Sequence, residues 1–167
     1  MEMSLNLLRR HQQPLREAVA SRFAIDHGEL EQTLFFRTTR QQYSLGRACE
    51  LPIESMPARA LTGDWCTSTT VLRALTAAAI HMLRKRAHAN VLSLDSHKAE
   101  LFLGHAPINL EVDNNNATPG CVILEHGRII LGIGWLDAQG KIQWQTSDSK
   151  ASGFREESGH IHSNQYH

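Results

Sequence analysis

The stretch VLSLDSHKAELFLGHAPINL, residues 91–110, with PGCVILEHGRIILGIGWLDAQGKIQW, residues 119–144, decides how this chain folds. Its apolar residues fall in short runs at 91–94, 108–112, 122–124, 129–133 and 142–144, separated by Gly, Asn, Asp and Pro. Runs of that length bounded by turn-forming residues read as strands. Residues 95–103 instead read as one short helix, and Asn114, Asn115 and Asn116 as a loop. Strands packed this closely, within about 55 residues, imply a small barrel or a strongly bent sheet.

Working outward toward the N-terminus, the period changes to that of a helix. Val71, Leu72, Leu75, Ala78, Ala79, Met82 and Leu83 form a continuous stripe, preceded by the capping hydroxyls of Thr67, Ser68 and Thr69 and followed by Arg84, Lys85 and Arg86. The expectation is one helix of about 19 residues, roughly 28 Å long. Leu15, Val19 and Phe23 at i, i+4, i+8 behind Pro14 predict a second helix, stopped at Asp26-His27-Gly28. Short strands are expected at 34–36 and 43–45, and Pro52 and Pro57 bracket a loop. The fold class is therefore α+β: a helical N-terminal part with a small hairpin, 1–89, packed on a C-terminal β-rich part, 90–145. A polar tail, 146–167, is expected to fray.

With 167 residues, 41% of them hydrophobic, and a mean hydropathy of −0.32, the chain is one globular domain with at most a small appendage; a wholly disordered chain is excluded. Lys+Arg and Asp+Glu number 17 each, but residues 1–90 carry 12 against 8 and residues 91–167 carry 5 against 9, giving +4 and −4. Thirteen of the cations are Arg, the side chain suited to bidentate phosphate contacts. Such a distribution permits a nucleic-acid face on the first half; a solvated helical surface is the alternative. Cys49, Cys66 and Cys121 are too few and too widely spaced for a disulfide framework or a structural zinc site. No leader-like start and no membrane-length apolar run occur in the sequence, so a cytoplasmic location without membrane attachment is expected. No cofactor is implied: Gly132-Ile133-Gly134 has Asp137 where a dinucleotide fingerprint needs its third glycine, which leaves a bent strand as the better account. His160, His162 and His167 lie in the tail and lack the preorganisation of a metal site.

The strand 91–94 leading into Lys98-Ala99-Glu100-Leu101-Phe102-Leu103-Gly104, then Pro119-Gly120-Cys121-Val122 and the glycine pair of 130–134, resembles a PUA-type RNA-binding domain over residues 90–145. The chain departs from that family at Cys121, where an acidic residue is usual, and at 108–118, which is not the usual apolar-Pro-Gly turn. No methyltransferase or synthase motif precedes the region. The resemblance implies a PUA-like barrel, non-catalytic RNA binding, and a role accessory to RNA modification or ribosome assembly. On this reading Gly104 lets backbone amides approach the RNA, and Lys98, His105, Arg128 and Lys141 supply surrounding donors. Arg84, Lys85 and Arg86, with Arg128, form the phosphate-tracking surface. A helix C-cap at Gly104 and solvated surface at the cations are the plainer readings.

Two other classes stay open. Cys66 just ahead of a helix, with His126 and Asp137 on later β-like segments, is similar in order to papain-like cysteine hydrolases. A straight strand would hold His126 and Asp137 over about 30 Å apart, so the glycines between them would have to bend it sharply. A buried structural Cys66 and a turn Asp137 are the alternative. The third class is a protein-interaction adaptor, whose mark would be a broad apolar patch. Trp65, Trp135 and Trp144 read as core or barrel-lining residues unless one is exposed beside Arg128.

Overall fold

Gln12 joins two helices end to end at the start of the fold. A computed structural model describes residues 4–38, 40–62, 68–110 and 117–144; the expected tail, the loop at Asn114 to Asn116, and Trp65, Cys66 and Thr67 lie outside them. Helix α1, Leu5–His11, is capped by the Ser4 hydroxyl, and α2, Gln13–Phe23, carries Pro14 in its first turn, where a missing N–H costs no hydrogen bond. Leu15, Val19, Ala20 and Phe23 face the core, as their spacing predicts. Asp26 does more than stop this helix, because its carboxylate accepts from the Gly28 N–H and starts a further turn, α3, His27–Glu31.

A hairpin follows, β1 (Thr33–Arg37) antiparallel to β2 (Tyr43–Arg47), with Phe35 opposite Leu45. Side chains close the outer edge of β1. Fully buried Gln12 donates from Nε2 to the Phe35 carbonyl and accepts at Oε1 from the Phe35 N–H, both at 2.8 Å. One amide thereby reproduces the paired bonds of a neighbouring strand residue. One turn on, Arg16 donates to the Thr33 carbonyl at 3.2 Å. The loop between Pro52 and Pro57 contains a 3-10 turn, Ile53–Ser55, and α4, Ala58–Thr62, comes after it.

The single long helix expected through residue 86 is two helices, α5 (Ser68–Arg73) and α6 (Ala77–Arg84). Strand β2 interrupts it: the Tyr43 N–H donates to the Ala74 carbonyl at 2.7 Å, and the Thr76 N–H donates to the Tyr43 carbonyl at 2.8 Å. Thr76 then caps α6 by accepting from the Ala79 N–H. Both helices bury their apolar face in the same core, so the stripe runs on across the break.

Five strands make the second sheet, in the order β3-β5-β6-β7-β4: β3 (Val91–Ser93), β4 (Ile108–Asn109), β5 (Gly120–His126), β6 (Ile129–Leu136) and β7 (Lys141–Trp144). Helix α7, Ser96–Leu103, follows β3 and is capped by Asp95. β3 is parallel to β5 and the other pairings are antiparallel. In β6, Leu124 faces Gly132 while Glu125 faces Ile130, so Leu131 is the extra residue of a bulge and Gly132 takes φ +145°. At Gly134 a Cβ would lie 2.7 Å from Ile142 Cγ2 and 2.8 Å from Leu124 Cδ1. The glycine pair thus bends one strand and lets two neighbours close over it. The sheet curls into a half-barrel, and its end strands β3 and β4 are not paired to each other.

Residue 90 marks the change from helix to sheet, but the main core continues past it: Phe23, Phe35, Val71 and Leu83 pack with Cys121, Ile123 and Ile133. The alternate residues of β5, Val122 and Leu124, enter a second core with Leu92, Phe102, Ile108 and Ile142. Burial on both faces explains why β5 reads as an unbroken apolar run. A polar clamp ties the halves. Arg22 donates from Nε to the Cys121 carbonyl and from Nη2 to the Thr118 carbonyl, both at 2.7 Å, while Asn90, at φ 56°, donates to the Arg22 carbonyl and accepts from the Thr118 N–H. Gly120, at φ +127°, lies under the Arg22 guanidinium, and a Cβ at this position would stand 3.1 Å from its Cζ.

Candidate nucleic-acid interface

Arg84 fixes the geometry of the cationic C-terminal end of α6. From the last turn of α6 its Nε donates to Glu125 Oε2 at 2.6 Å and its Nη2 to Oε1 at 3.1 Å, a two-point contact with a carboxylate that is only 14% exposed. The Glu125 hydrogen bond raises the Arg84 pKa against the opposing effect of desolvation. Glu125 is on β5, three residues before Arg128, so this ion pair docks the C-terminal end of α6 at the tip of the β5–β6 hairpin.

That tip is a two-residue turn, Gly127-Arg128, between the paired residues His126 and Ile129. Gly127 sits at φ +59°, the glycine-first pattern of a type II′ hairpin, and leaves Arg128 exposed at the second position. Lys85 is exposed and Arg86 half-buried, with one Arg86 nitrogen on the Met82 carbonyl at 3.3 Å. Among the described residues Lys85, Arg86 and Arg128 have no carboxylate partner. Ile129, 65% exposed, stands beside Arg128.

The same end holds the start of α7. The Leu94 N–H donates to the Glu125 carbonyl, and the Asp95 carboxylate accepts from the Lys98 N–H at 2.8 Å, with Lys98 Nζ 3.7 Å from its other oxygen. That backbone bond lowers the Asp95 pKa most, with the Lys98 charge adding to it. His126 Nδ1 lies 2.8 Å from the Leu94 carbonyl. A carbonyl only accepts, so Nδ1 carries the proton.

Other candidate residues are elsewhere. Lys141 opens β7, next to the pairing of Leu136 with Ile142, at the opposite end of the hairpin from Arg128. Gly104 caps α7 at φ −82°, and a Cβ there would come no nearer than 3.4 Å to the Glu100 carbonyl oxygen. The cap itself therefore does not require a glycine at 104, as the plainer C-cap reading would have it. The left-handed position of this cap belongs to His105, at φ 60°, whose N–H donates to Phe102 while that of Ala106 reaches back to Leu101. The His105 ring stacks on Trp144, centroids 3.5 Å apart.

The hydrolase arrangement does not assemble around its base. His126 pairs with Ile129 at the turn, and Asp137 follows Leu136, which pairs with Gly120 at the far end. Six residues of strand separate those ends by about 20 Å. Asp137 is a turn residue whose Oδ1 accepts from the Gln139 and Lys141 N–H groups, both at 2.9 Å. The bulge that bends β6 does not bring the two together, and Cys66 lies outside the described residues, as does Trp65. Of the other two tryptophans, Trp135 lies under the Arg73 guanidinium, 4.6 Å from its ring centre, and neither is beside Arg128. No group of three metal-ligating side chains occurs among the described residues, and none of their helices is long and apolar enough to cross a membrane.

Sequence reasoning does not single out Arg22, Asn90 or Gln12. Each acts through bonds to backbone far away in sequence, and only Asn90, an Asn at a helix-to-strand junction, carries a local hint. Comparison with protein-family models, with curated proteins and with solved structures gives no match to this chain.

Proposed function

We propose that the chain is a PUA-like RNA-binding module of the cytoplasm, without catalysis of its own, that serves RNA modification or ribosome assembly as an accessory. One observation carries this reading: the Arg84–Glu125 pair gathers Lys85, Arg86 and Arg128 at one end of the half-barrel, and none of the three forms an ion pair among the described residues. Cations left unpaired next to one another attract a polyanion, and arginine forks suit its phosphates. The order of strand, short helix and glycine-bent hairpin supports the PUA-like assignment.

Binding of a structured RNA hairpin, measured at low and at physiological salt, tests it. Affinity should fall steeply with salt, and replacing Lys85, Arg86 and Arg128 together by Gln should weaken binding on the order of tenfold and flatten the salt dependence by about 2 to 3 in log–log slope, about 0.9 per phosphate lost. No detectable binding at low salt, or an unchanged slope in the triple variant, would remove this function.

A further inference from the structure

Between the helical half and strand β6 is a partly enclosed slot of about 140 Å³. Leu75 and Ile80 come from the helical side, Leu131, Gly132 and Ile133 from β6, and Phe102 and Trp144 add aromatic surface. Gln42 and Arg73 supply polar groups at the same slot. We propose that this slot takes a single unpaired pyrimidine base of the bound RNA. The proposal rests on the RNA-binding reading above and adds to it a site outside the basic end.

Size points to the class of base. A cavity of about 150 Å³ accommodates one benzene ring, so a slot of this volume matches one six-membered ring, and the second ring of a purine would have to lie outside it. Chemistry agrees with size. A base is a flat ring with an apolar face and a hydrogen-bonding edge, and unpaired bases are bound by stacking on aromatic side chains with polar groups reading that edge. The Gln42 side-chain amide both donates and accepts, as a pyrimidine edge requires, and it makes no hydrogen bond within the described residues. Arg73 adds a donor fork.

The walls are set in advance. Trp144 is held by its stack on His105 and by the pairing of Trp144 with Gly134. Gly132 keeps the bend of β6 open at φ +145°, and a Cβ there would point at Phe102, 3.7 Å away. Leu131, the bulge residue, lines the slot without a partner across the β5–β6 ladder, so its side chain can be enlarged without breaking a strand pairing.

Binding of oligouridylate, oligocytidylate and oligoadenylate of equal length, at one low salt concentration, tests the proposal by fluorescence anisotropy. Equal phosphate number holds the electrostatic contribution constant, so differences report on the bases. Both pyrimidine oligomers should bind on the order of tenfold more tightly than oligoadenylate, the worth of about one stacked base. Leu131→Trp, which fills the slot, and Gln42→Ala, which removes the edge contact, should each reduce that preference while leaving oligoadenylate affinity unchanged. Equal binding of all three oligomers, or a pyrimidine preference that survives in both variants, overturns the slot while the basic-end reading stands. No binding of any oligomer or of the structured hairpin overturns both.

Discussion

Arg84 is, in sequence, one of four equivalent cations, and the structure separates it from the rest. Its side chain is one-third exposed but both nitrogens that face Glu125 are engaged, and the partner side chain is only 14% exposed. Removing it leaves that carboxylate without its charge partner, which costs about 1–3 kcal/mol. Arg84→Gln should therefore lower the melting temperature by several degrees, whereas Lys85→Gln and Arg128→Gln, on exposed side chains, should leave it within a degree or two. Thermal denaturation of the three single variants decides this, and an equal effect in all three would show that the ion pair contributes nothing. Nothing in the local sequence marks Arg84 off from Lys85 and Arg86, because its partner lies 41 residues away. Gly104 shows the converse. A glycine at a helix end suggests a special backbone, yet here its neighbour His105 carries the left-handed conformation.

At the level of elements, the sequence is legible where the pattern is local. The strands, α2 and α7 announce themselves by period, breakers and caps, and the bend of β6 by its glycine pair. The division between α5 and α6 does not, since Thr76 looks like any polar residue in a helix until Tyr43 supplies backbone partners on both sides of Leu75. The bend yields a contrast: Gly134→Ala must displace Ile142 and Leu124 and should cost about 1–3 kcal/mol, while Gly104→Ala, at an ordinary φ with room for a methyl, should change stability by less than about 1 kcal/mol. Urea unfolding of the two variants measures both, and equal destabilisation would contradict the packing at Gly134. The cap of α7 yields a pH dependence. The Asp95 carboxyl is held below its usual value, so it binds fewer protons folded than unfolded. Its contribution is complete above the unfolded value of about pH 4 and is lost as pH falls through the folded one. Asp95→Asn keeps an acceptor oxygen without the titration, so the melting temperatures of variant and wild type should converge on acidification below about pH 4. Curves that stay parallel would show that the charge at this cap plays no part.

Taken whole, the molecule is an α+β fold whose class is legible from the switch of period at residue 90, while the sharing of one core across that point is not. The apolar residues on either side look alike, and which of them meet is decided by long-range contacts such as the Arg22 and Asn90 clamp. The opposite charges of the two halves are likewise a whole-molecule property: among the described residues Arg84–Glu125 is the one ion pair that joins them. Gln12 has a consequence at this scale too. Its amide takes the place of a third strand, which means that the hairpin has an end that another polypeptide could extend if the amide were gone. Gln12→Leu leaves the Phe35 N–H and carbonyl unsatisfied, and two molecules can satisfy each other by joining β1 to β1. Light scattering over a range of protein concentrations should then show a mass that rises toward twice that of wild type, and a variant with the wild-type mass throughout would mean the edge is shielded by the remainder of α1 and α4. In the native chain the Gln12 amide thus occupies the backbone groups through which a second copy could add itself to the sheet.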